Sequence, residues 1–241
     1  MGVTAVIAAA GSGERLGAGG PKAFVPLGGR PMVEWSIEAF RAAPSVRSIV
    51  VACPPGHVHE LGGHDYGVVE GGATRSASVA NALAAVGTEL VAVHDAARPF
   101  ATPELIEEVV ATLVADPEAD GAIAATPTTD TIKRAADSDA DTGAKGSFSS
   151  PEKEKLPFVV ETTLDRRGLW AAQTPQVFRV EALRAALGAD PERVAAATDE
   201  AMLVEAAGGR VLLHPSPPEN LKVTTPLDLK LAELLLADRP S

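Results

Sequence analysis

Short apolar runs alternate with segments of helical spacing through most of this 241-residue chain. Alternation of this kind predicts a mostly parallel sheet covered by helices. We therefore expect an α/β protein with a Rossmann-like, three-layer fold and helices on both faces of the sheet. The predicted strands span residues 3–9, 47–52, 66–70, 90–93 and 121–126. Three predicted helices span residues 31–40, 75–86 and 102–114, the third with Thr102 as N-cap and Pro103 at the first helical position. A last predicted helix begins at Thr225-Pro226.

Composition fits this architecture. Hydrophobic residues make up 46% of the chain, which is enough for a folded core, but aromatic residues make up only 4%. The core must then be built from Ala, Val, Leu and Ile, as is typical of parallel sheets covered by helices. A length of 241 residues suits one large domain or two small ones, and we predict a single domain over residues 1–241.

One segment interrupts the alternation. Residues 135–157 are rich in Asp, Ser, Gly, Lys and Glu and contain almost no apolar side chains. Their flanks, residues 130–134 and 158–162, can both be extended. We expect two strands here that form a protruding β-arm over residues 132–164, with a mobile or disordered tip.

The charge and the cysteine content narrow the class of protein. A formal net charge of −11 argues against general nucleic-acid binding, although a locally basic pocket can still bind a small anion. Cys53 is the one cysteine, which excludes an internal disulfide and favours a reducing cytoplasm. We detect neither a signal peptide nor an apolar run near the roughly 20 residues of a membrane span. The expected location is cytoplasmic, with no membrane partner.

A glycine-rich loop at residues 8–24 follows the first predicted strand and is the first candidate for phosphate binding. It does not match the dinucleotide fingerprint, because Leu16 occupies the third glycine position. It does not match the Walker motif either, because Lys22 lies between Pro21 and Ala23. These mismatches argue against a nicotinamide-dependent oxidoreductase.

The same loop carries Arg15 and Lys22, two positive charges around a phosphate-sized space. A flexible surface loop with solvated charges is the alternative. The rigid Pro21 next to Lys22 favours a positioned cation instead. We predict that these two side chains contact a phosphorylated ligand.

Asp95 lies at the end of the strand predicted at 90–93, and ligands of such sheets bind beyond the carboxyl ends of the strands. A lone carboxylate there can hold Mg²⁺ or another divalent cation together with substrate phosphates. An ion pair between Asp95 and Arg98 is the structural alternative. We assign His94 to structure, and we interpret residues 198–200 as an N-cap followed by acids of a first helical turn.

With these residues in place, the chain resembles the sugar-phosphate nucleotidyltransferases, and among them the 2-C-methyl-D-erythritol 4-phosphate cytidylyltransferase family of the non-mevalonate isoprenoid pathway. The matching stretches occur in the family's order and span nearly the whole chain. Besides the glycine loop they are GGATRSASV at 71–79, VHDAARPF at 93–100, DTIKR at 130–134, DRRGLWAAQTPQVF at 165–178, TDEA at 198–201 and NLKVTTPLDL at 220–229.

The resemblance implies attack of the acceptor phosphate on the α-phosphorus of CTP, with release of pyrophosphate. Because the nucleophile is already an anion, the reaction needs cations and backbone donors rather than a general base. The resemblance implies catalytic roles for Arg15 and Lys22 and a metal role for Asp95. The implied CTP-binding residues are Ala8, Ala9, Ala10, Gly11, Gly13, Gly72, Ser78 and Ala96, and the implied acceptor residues are Arg98, Thr131, Arg166, Thr174 and Lys222.

The resemblance also implies a homodimer whose arms exchange, so that Arg166 and Thr174 reach the neighbour's site. The chain departs from the family at Ala73, where Asp is frequent, and in the length of the arm tip. A ribitol 5-phosphate cytidylyltransferase is the nearest alternative, although the two alanines of HDAARP favour the erythritol enzyme. A non-catalytic nucleotide sensor is less favoured, because Arg15, Lys22 and Asp95 are all present.

Overall fold

The computed structural model describes residues 1–16, 20–61, 65–136 and 158–238. The chain divides into two compact units, Met1–Thr126 with Ala172–Ser241, and Pro127–Ala171. We call them the main unit and the inserted unit. A single domain over residues 1–241, with residues 132–164 as a dimerisation arm, stays a prediction.

The described residues form strands and helices that alternate through the main unit. The strands are β1 (Val3–Ala8), β2 (Pro26–Leu27), β3 (Arg30–Pro31), β4 (Val46–Cys53), β5 (Gly67–Glu70), β6 (Leu90–Asp95), β7 (Gly121–Pro127), β8 (Lys133–Ala135), β9 (Val160–Thr163), β10 (Trp170–Arg179) and β11 (Val211–Pro215). The helices are α1 (Met32–Ala42), α2 (Arg75–Leu83), α3 (Pro103–Ala115), α4 (Val180–Leu187), α5 (Pro191–Ala196), α6 (Glu200–Ala206) and α7 (Pro226–Ala237). Short 3₁₀ turns occur at Glu14–Leu16, Lys22–Phe24 and Val58–Glu60.

The central sheet has seven strands in the order β11-β7-β10-β6-β1-β4-β5. Strand β1 pairs in parallel with both β4 and β6, β5 extends the parallel set beyond β4, and β11 is parallel to β7. Strand β10 is antiparallel to β6. This topology confirms the predicted mostly parallel α/β sheet.

Both faces of the sheet are covered by helices. Along β1, Ala5 and Ile7 join one core cluster, while Val6 joins the cluster on the opposite face. Helices α1 and α3 supply the first cluster, and helices α2, α4 and α6 supply the second. Every residue of β1 up to Ile7 is buried, so the strand is covered on both faces; Thr4 is its polar residue, and its hydroxyl is hydrogen-bonded to Ser48 and Thr88.

Two predicted helix starts are confirmed by their caps. Thr102 Oγ1 accepts a hydrogen bond from Leu105 N at 3.2 Å, and Thr225 closes a capping box with Asp228 at the start of α7. At α6 the cap is Asp199, whose carboxylate accepts from Met202 N at 3.0 Å. The prediction that Thr198 caps this helix and that Asp199 lies in its first turn was wrong, because the cap is Asp199. Among the described residues, none of the helices is both long and apolar enough to span a membrane.

Several boundaries differ from the prediction. Strand β6 continues two residues further than expected, through His94 and Asp95, and α2 ends at Leu83. We did not predict β10, which contains Pro175, a residue type that is uncommon in central strands. Nor did we predict α4, α5 and β11.

The inserted unit contains the two strands expected on either side of the arm tip. Strands β8 and β9 pair antiparallel, with Lys133 opposite Thr163. Their bounds are shifted from the predicted 130–134 and 158–162. Residues 137–157, which include most of the predicted tip, lie outside the described residues, as do residues 17–19 of the glycine loop.

Candidate active site

A pocket of about 600 Å³ opens in the main unit beyond the carboxyl ends of β1 and β6. This is the edge at which ligands bind in parallel α/β sheets. Most of the site residues predicted from the sequence meet there. The predicted residues that line the pocket are Ala8, Ala9, Ala10, Gly11, Gly13, Arg15, Lys22, Gly72, Ser78, Asp95, Ala96 and Lys222.

The glycine loop folds back on itself beside β1. Lys22 N donates to Gly11 O at 3.2 Å, which brings the lysine next to the start of the loop. Gly13 has φ of +77°, and a Cβ there would lie 2.8 Å from Gly20 O and 2.9 Å from Lys22 N. Only glycine fits this left-handed and crowded position. The glycine thus sets the place of Lys22 in the pocket wall.

Lys22 lies among other cations. Burial, and then the positive charges of Lys222 and Arg15, lower the pKa of Lys22 to about 8. Asp95 opposes this shift only in part. The wall of the pocket is therefore positively charged at this place, and an anionic ligand bound there would stabilise the protonated form of Lys22.

Asp95 is bound by a different cation at each carboxylate oxygen. Arg75 Nε lies 2.8 Å from Oδ1, and Lys222 Nζ lies 2.6 Å from Oδ2. Burial acts to raise the pKa of Asp95, but the two cations outweigh it and hold the pKa well below its usual range. The carboxylate is therefore ionised.

The side-chain pair considered between Asp95 and Arg98 does not form. Arg98 is 8% exposed, and its guanidinium donates to Asn220 O at 2.7 Å and Ala172 O at 3.4 Å. Only its backbone N–H binds Asp95, at the carbonyl, with a length of 2.9 Å. Burial lowers the pKa of Arg98 from its ordinary value. The structure thus places Arg98 beneath the pocket rather than on its wall.

His94 closes a chain of hydrogen bonds under the site. Asp95 N donates to Thr174 Oγ1 at 3.1 Å, and this hydroxyl lies 2.9 Å from His94 Nδ1. The other ring nitrogen, Nε2, lies 3.1 Å from Arg98 O, which can only accept. Nε2 therefore carries the proton and Nδ1 accepts from Thr174. Burial lowers the pKa of His94 to about 4, so the ring is neutral and acts in structure, as its sequence context indicated.

A glycine turn before α2 forms another part of the wall. Gly72 N donates to Ser78 Oγ at 3.0 Å, and Ser78 in turn donates to Thr74 O at 2.9 Å. A Cβ on Gly71 would lie 2.4 Å from Ala10 Cβ, and one on Gly72 would lie 2.4 Å from Ala77 Cβ. Ser78 is 2% exposed, so it is not an ordinary surface serine of this helix.

The acceptor residues predicted from the resemblance are spread over the two units. Lys222 is on the pocket wall, and Thr174 is 3% exposed inside the main unit. Thr131 and Arg166 belong to the inserted unit, where Arg166 donates to Thr129 O. Their contact with an acceptor stays a prediction.

Two charged residues of the site were missed by sequence reasoning. Arg75 lines the pocket from the first residue of α2 and pairs with Glu200 as well as with Asp95. We had assigned Glu200 only to the favourable electrostatics of a helix start. It is 0% exposed and lies on the buried face of α6 together with Leu203 and Val204. Its spacing of three and four residues from those apolar side chains is the signal that could have revealed it.

A pocket of this size that combines a glycine-rich turn with clustered cations at this edge of the sheet is typical of α/β proteins that bind a phosphorylated ligand. The chain belongs to the 2-C-methyl-D-erythritol 4-phosphate cytidylyltransferase family, whose sequence model matches residues 3–238.

Similar known proteins agree with that membership. This chain is 44% identical over 240 residues to the 2-C-methyl-D-erythritol 4-phosphate cytidylyltransferase of Frankia casuarinae, and the match covers 98% of this chain and 81% of the relative. The crystal structure of the Thermus thermophilus protein of the same name superposes with a TM-score of 0.75 at 35% identity, covering 98% of this chain and 100% of that one.

The chain also matches longer proteins. It is 43% identical over 242 residues to a protein of Anaeromyxobacter sp. (strain Fw109-5) named "Bifunctional enzyme IspD/IspF". The match covers 97% of this chain but only 57% of that relative. The chain thus spans little more than half the length of such bifunctional relatives.

Proposed function

We propose that this chain transfers the cytidylyl group of CTP to 2-C-methyl-D-erythritol 4-phosphate and releases pyrophosphate, a step of isoprenoid precursor biosynthesis. The observation that carries the proposal is the set of cations, Arg15, Lys22 and Lys222, on the wall of one pocket in a chain of this family. The family and the names of its relatives favour this acceptor over ribitol 5-phosphate.

The chemistry requires charge stabilisation more than acid or base catalysis. A phosphate oxygen of the acceptor forms a bond to the α-phosphorus of CTP, and the bond from that phosphorus to the bridging oxygen breaks. The electron pair leaves with pyrophosphate. Because two anions must approach each other, positioned cations supply most of the catalysis.

Arg15 and Lys22 are the catalytic residues in this proposal. Both line the pocket beside the glycine loop, and burial together with the charges of Lys222 and Arg15 lowers the pKa of Lys22 to about 8. A bound triphosphate would supply negative charge that stabilises the protonated lysine. Removing one such contact typically lowers the rate on the order of 10²- to 10³-fold.

The cytidine and its phosphates would lie against backbone and small side chains. These are residues 8–11, Gly13, Gly72 and Ala96, which line the pocket and allow a ligand to approach the main chain closely. Ser78 supports the same surface, since its hydroxyl holds the Gly72 turn.

Asp95 fits a divalent cation such as Mg²⁺. It is a carboxylate at a strand end in the pocket, and magnesium commonly binds one or two carboxylates plus substrate phosphates. Within the described parts of the chain there is no group of three or more metal-ligand side chains, so most ligands would come from phosphate and water. When bound, the ion would neutralise phosphate charge in the transition state.

The acceptor would bind on the Lys222 side of Asp95. We propose that Arg98 and Thr174 support this side from beneath, so that Thr174 serves the site of its own chain instead of reaching the neighbour's site as the resemblance implied. We propose that Arg166, as implied, and also Thr131 reach the site of a second copy in a homodimer. Phe158, Val159 and Val160 of the inserted unit support the dimer, because they are apolar and 56%, 73% and 56% exposed in the single chain. A cytoplasmic location stays a prediction.

The test is to incubate the chain with Mg²⁺, CTP and either methylerythritol phosphate or ribitol phosphate and to measure pyrophosphate. We expect release with the first acceptor and little with the second. Lys22→Met is expected to lose most turnover while its melting temperature stays near that of the wild type. Release with ribitol phosphate alone would show the acceptor to be wrong, and no release with either would show that the chain is not this enzyme.

A further inference from the structure

We infer that Arg75 and Glu200 are positioning residues for Asp95, an inference that depends on the proposed function. Glu200 holds Arg75 from below the pocket, and Arg75 holds one oxygen of the Asp95 carboxylate. The other oxygen is left to exchange its partner when nucleotide and cation enter.

Arg75 lies between two carboxylates, those of Asp95 and Glu200, and contacts both. Arg75 reaches Asp95 Oδ1 through Nε at 2.8 Å and reaches Glu200 Oε2 through Nη1. Asp95 and Glu200 together outweigh burial and raise the pKa of Arg75, so the guanidinium stays charged. A planar guanidinium with a carboxylate on each side has little freedom to turn.

The two elements that carry this pair are themselves anchored. Arg75 and Glu200 are the first residues of α2 and α6, and both helices pack into the core cluster on one face of the sheet. Just before Glu200, Asp199 accepts a hydrogen bond from Gln176 of β10 at 2.8 Å. The position of Glu200 is thus tied to the strand that runs beside β6 and Asp95.

The two ion pairs of Asp95 differ in freedom. The side chain of Arg75 is 24% exposed and has two carboxylate partners, whereas that of Lys222 is 44% exposed. Lysine also has a flexible stem and a single point charge. Oδ1 is therefore the fixed oxygen, and Oδ2, now paired with Lys222, is the oxygen available for exchange.

Burial of Glu200 is hard to explain by stability alone. Taking a carboxylate out of water costs several kcal/mol, and apolar replacements of buried ion pairs are often neutral or stabilising. Burial raises the pKa of Glu200, and its Oε1 has no hydrogen-bond partner among the described residues. An apolar side chain would suit the neighbours Leu203 and Val204 better. A role in holding Arg75 accounts for the charge at this place.

The experiment compares Glu200→Gln with Glu181→Gln as a matched control. Glu181 also lies in the first turn of a helix and pairs with an arginine, Arg184, but its side chain is 88% exposed and outside the pocket. Binding of Mn²⁺ in the presence of CTP is measured by electron paramagnetic resonance, beside kcat and KM. Loss of outer support for a metal ligand typically weakens metal binding about 10- to 100-fold. We expect that loss, with a matching fall in kcat, in Glu200→Gln alone.

A double variant separates positioning from stability. Arg75→Met leaves Glu200 unpaired and is expected to lower the melting temperature. Arg75→Met with Glu200→Met removes both buried charges and is expected to recover stability while kcat and Mn²⁺ binding stay low. If Glu200→Gln does not fold, this double variant provides the comparison.

The inference is overturned if Glu200→Gln binds Mn²⁺ and CTP as Glu181→Gln does, or if the stable double variant has normal kcat. Failure of the proposed function looks different. In that case the wild type releases no pyrophosphate, yet Mn²⁺ binding still distinguishes Glu200→Gln from Glu181→Gln.

Discussion

Burial and two neighbouring cations, Lys222 and Arg15, disfavour the charged form of Lys22. Its pKa of about 8 means that it is mostly protonated at pH 7 and mostly neutral at pH 9. A bound triphosphate favours the protonated form and raises the pKa, so binding takes up a proton above about pH 8. The contribution of Lys22 to CTP affinity is therefore complete below about pH 8, declines above it, and is lost as the pH rises through the higher pKa of the bound state.

Calorimetric titration with CTP at pH 8.5, in two buffers of different ionisation enthalpy, measures this uptake. We expect Lys22→Met to abolish the difference between the buffers. Lys230→Met, which removes an exposed lysine of α7, is expected to preserve it. Equal binding enthalpies in both buffers for the wild type would contradict the prediction.

Substitution of Gly72 tests whether the glycine turn before α2 needs a residue without a side chain. An added methyl group would lie 2.4 Å from Ala77 Cβ and 2.9 Å from the Ala77 carbonyl carbon, so the start of α2 must move. Such overpacking typically costs about 1–3 kcal/mol. We expect Gly72→Ala to weaken CTP binding at least about tenfold and to lower the melting temperature. Gly87→Ala, whose Cβ meets nothing within 4 Å, should change neither.

At the scale of elements, helix starts could be predicted from neighbouring residues, whereas contacts between residues far apart in the sequence could not. The starts of α3 and α7 followed from Thr-Pro pairs, because a cap and a proline act within one turn. Strand β10 could not be predicted, because its polar residues are buried only through distant partners. Gln176, for example, is 1% exposed and donates to Asp199 of the α6 cap.

The candidate site divides in the same way. Arg15 and Lys22 were predictable because one loop carries both charges and the glycines around them. The partners of Asp95 were not predictable, since Arg75 and Lys222 come from α2 and from the segment before α7. Residues 20 and 127 positions away have no spacing that a sequence pattern could show.

The segment between β11 and α7 depends on Asn220 for its place. The buried Asn220 amide lies 2.9 Å from both Gln173 Oε1 and Thr174 O, and Asn220 O accepts from Arg98. Asn220→Ala leaves these buried acceptors without a donor, at about 1–3 kcal/mol each. We expect a lower urea midpoint and a lower kcat/KM, because Lys222 lies two residues further on. The neighbouring exposed change Glu219→Ala should leave both unaffected.

For the whole molecule, the prediction concerns assembly. The apolar residues Phe158 and Val160 belong to the inserted unit and are each 56% exposed. We expect the wild type to show a solution mass near twice 24.7 kDa by light scattering, and the variant with Phe158→Asp and Val160→Asp to approach 24.7 kDa. Leu227→Asp, at an apolar residue of α7 that is 74% exposed, serves as the control and should stay dimeric. A monomeric wild type would contradict the proposed dimer.

The chain enters and leaves the inserted unit at neighbouring strands of the central sheet. The chain enters the unit from β7 and returns through β10, and these two strands are neighbours in the sheet. Thr128 N donates to Leu169 O at 3.0 Å close to both crossing points. The insert is therefore a cassette with adjacent ends. We therefore expect that a change in the length of this unit leaves the order of the seven strands that carry the pocket unchanged.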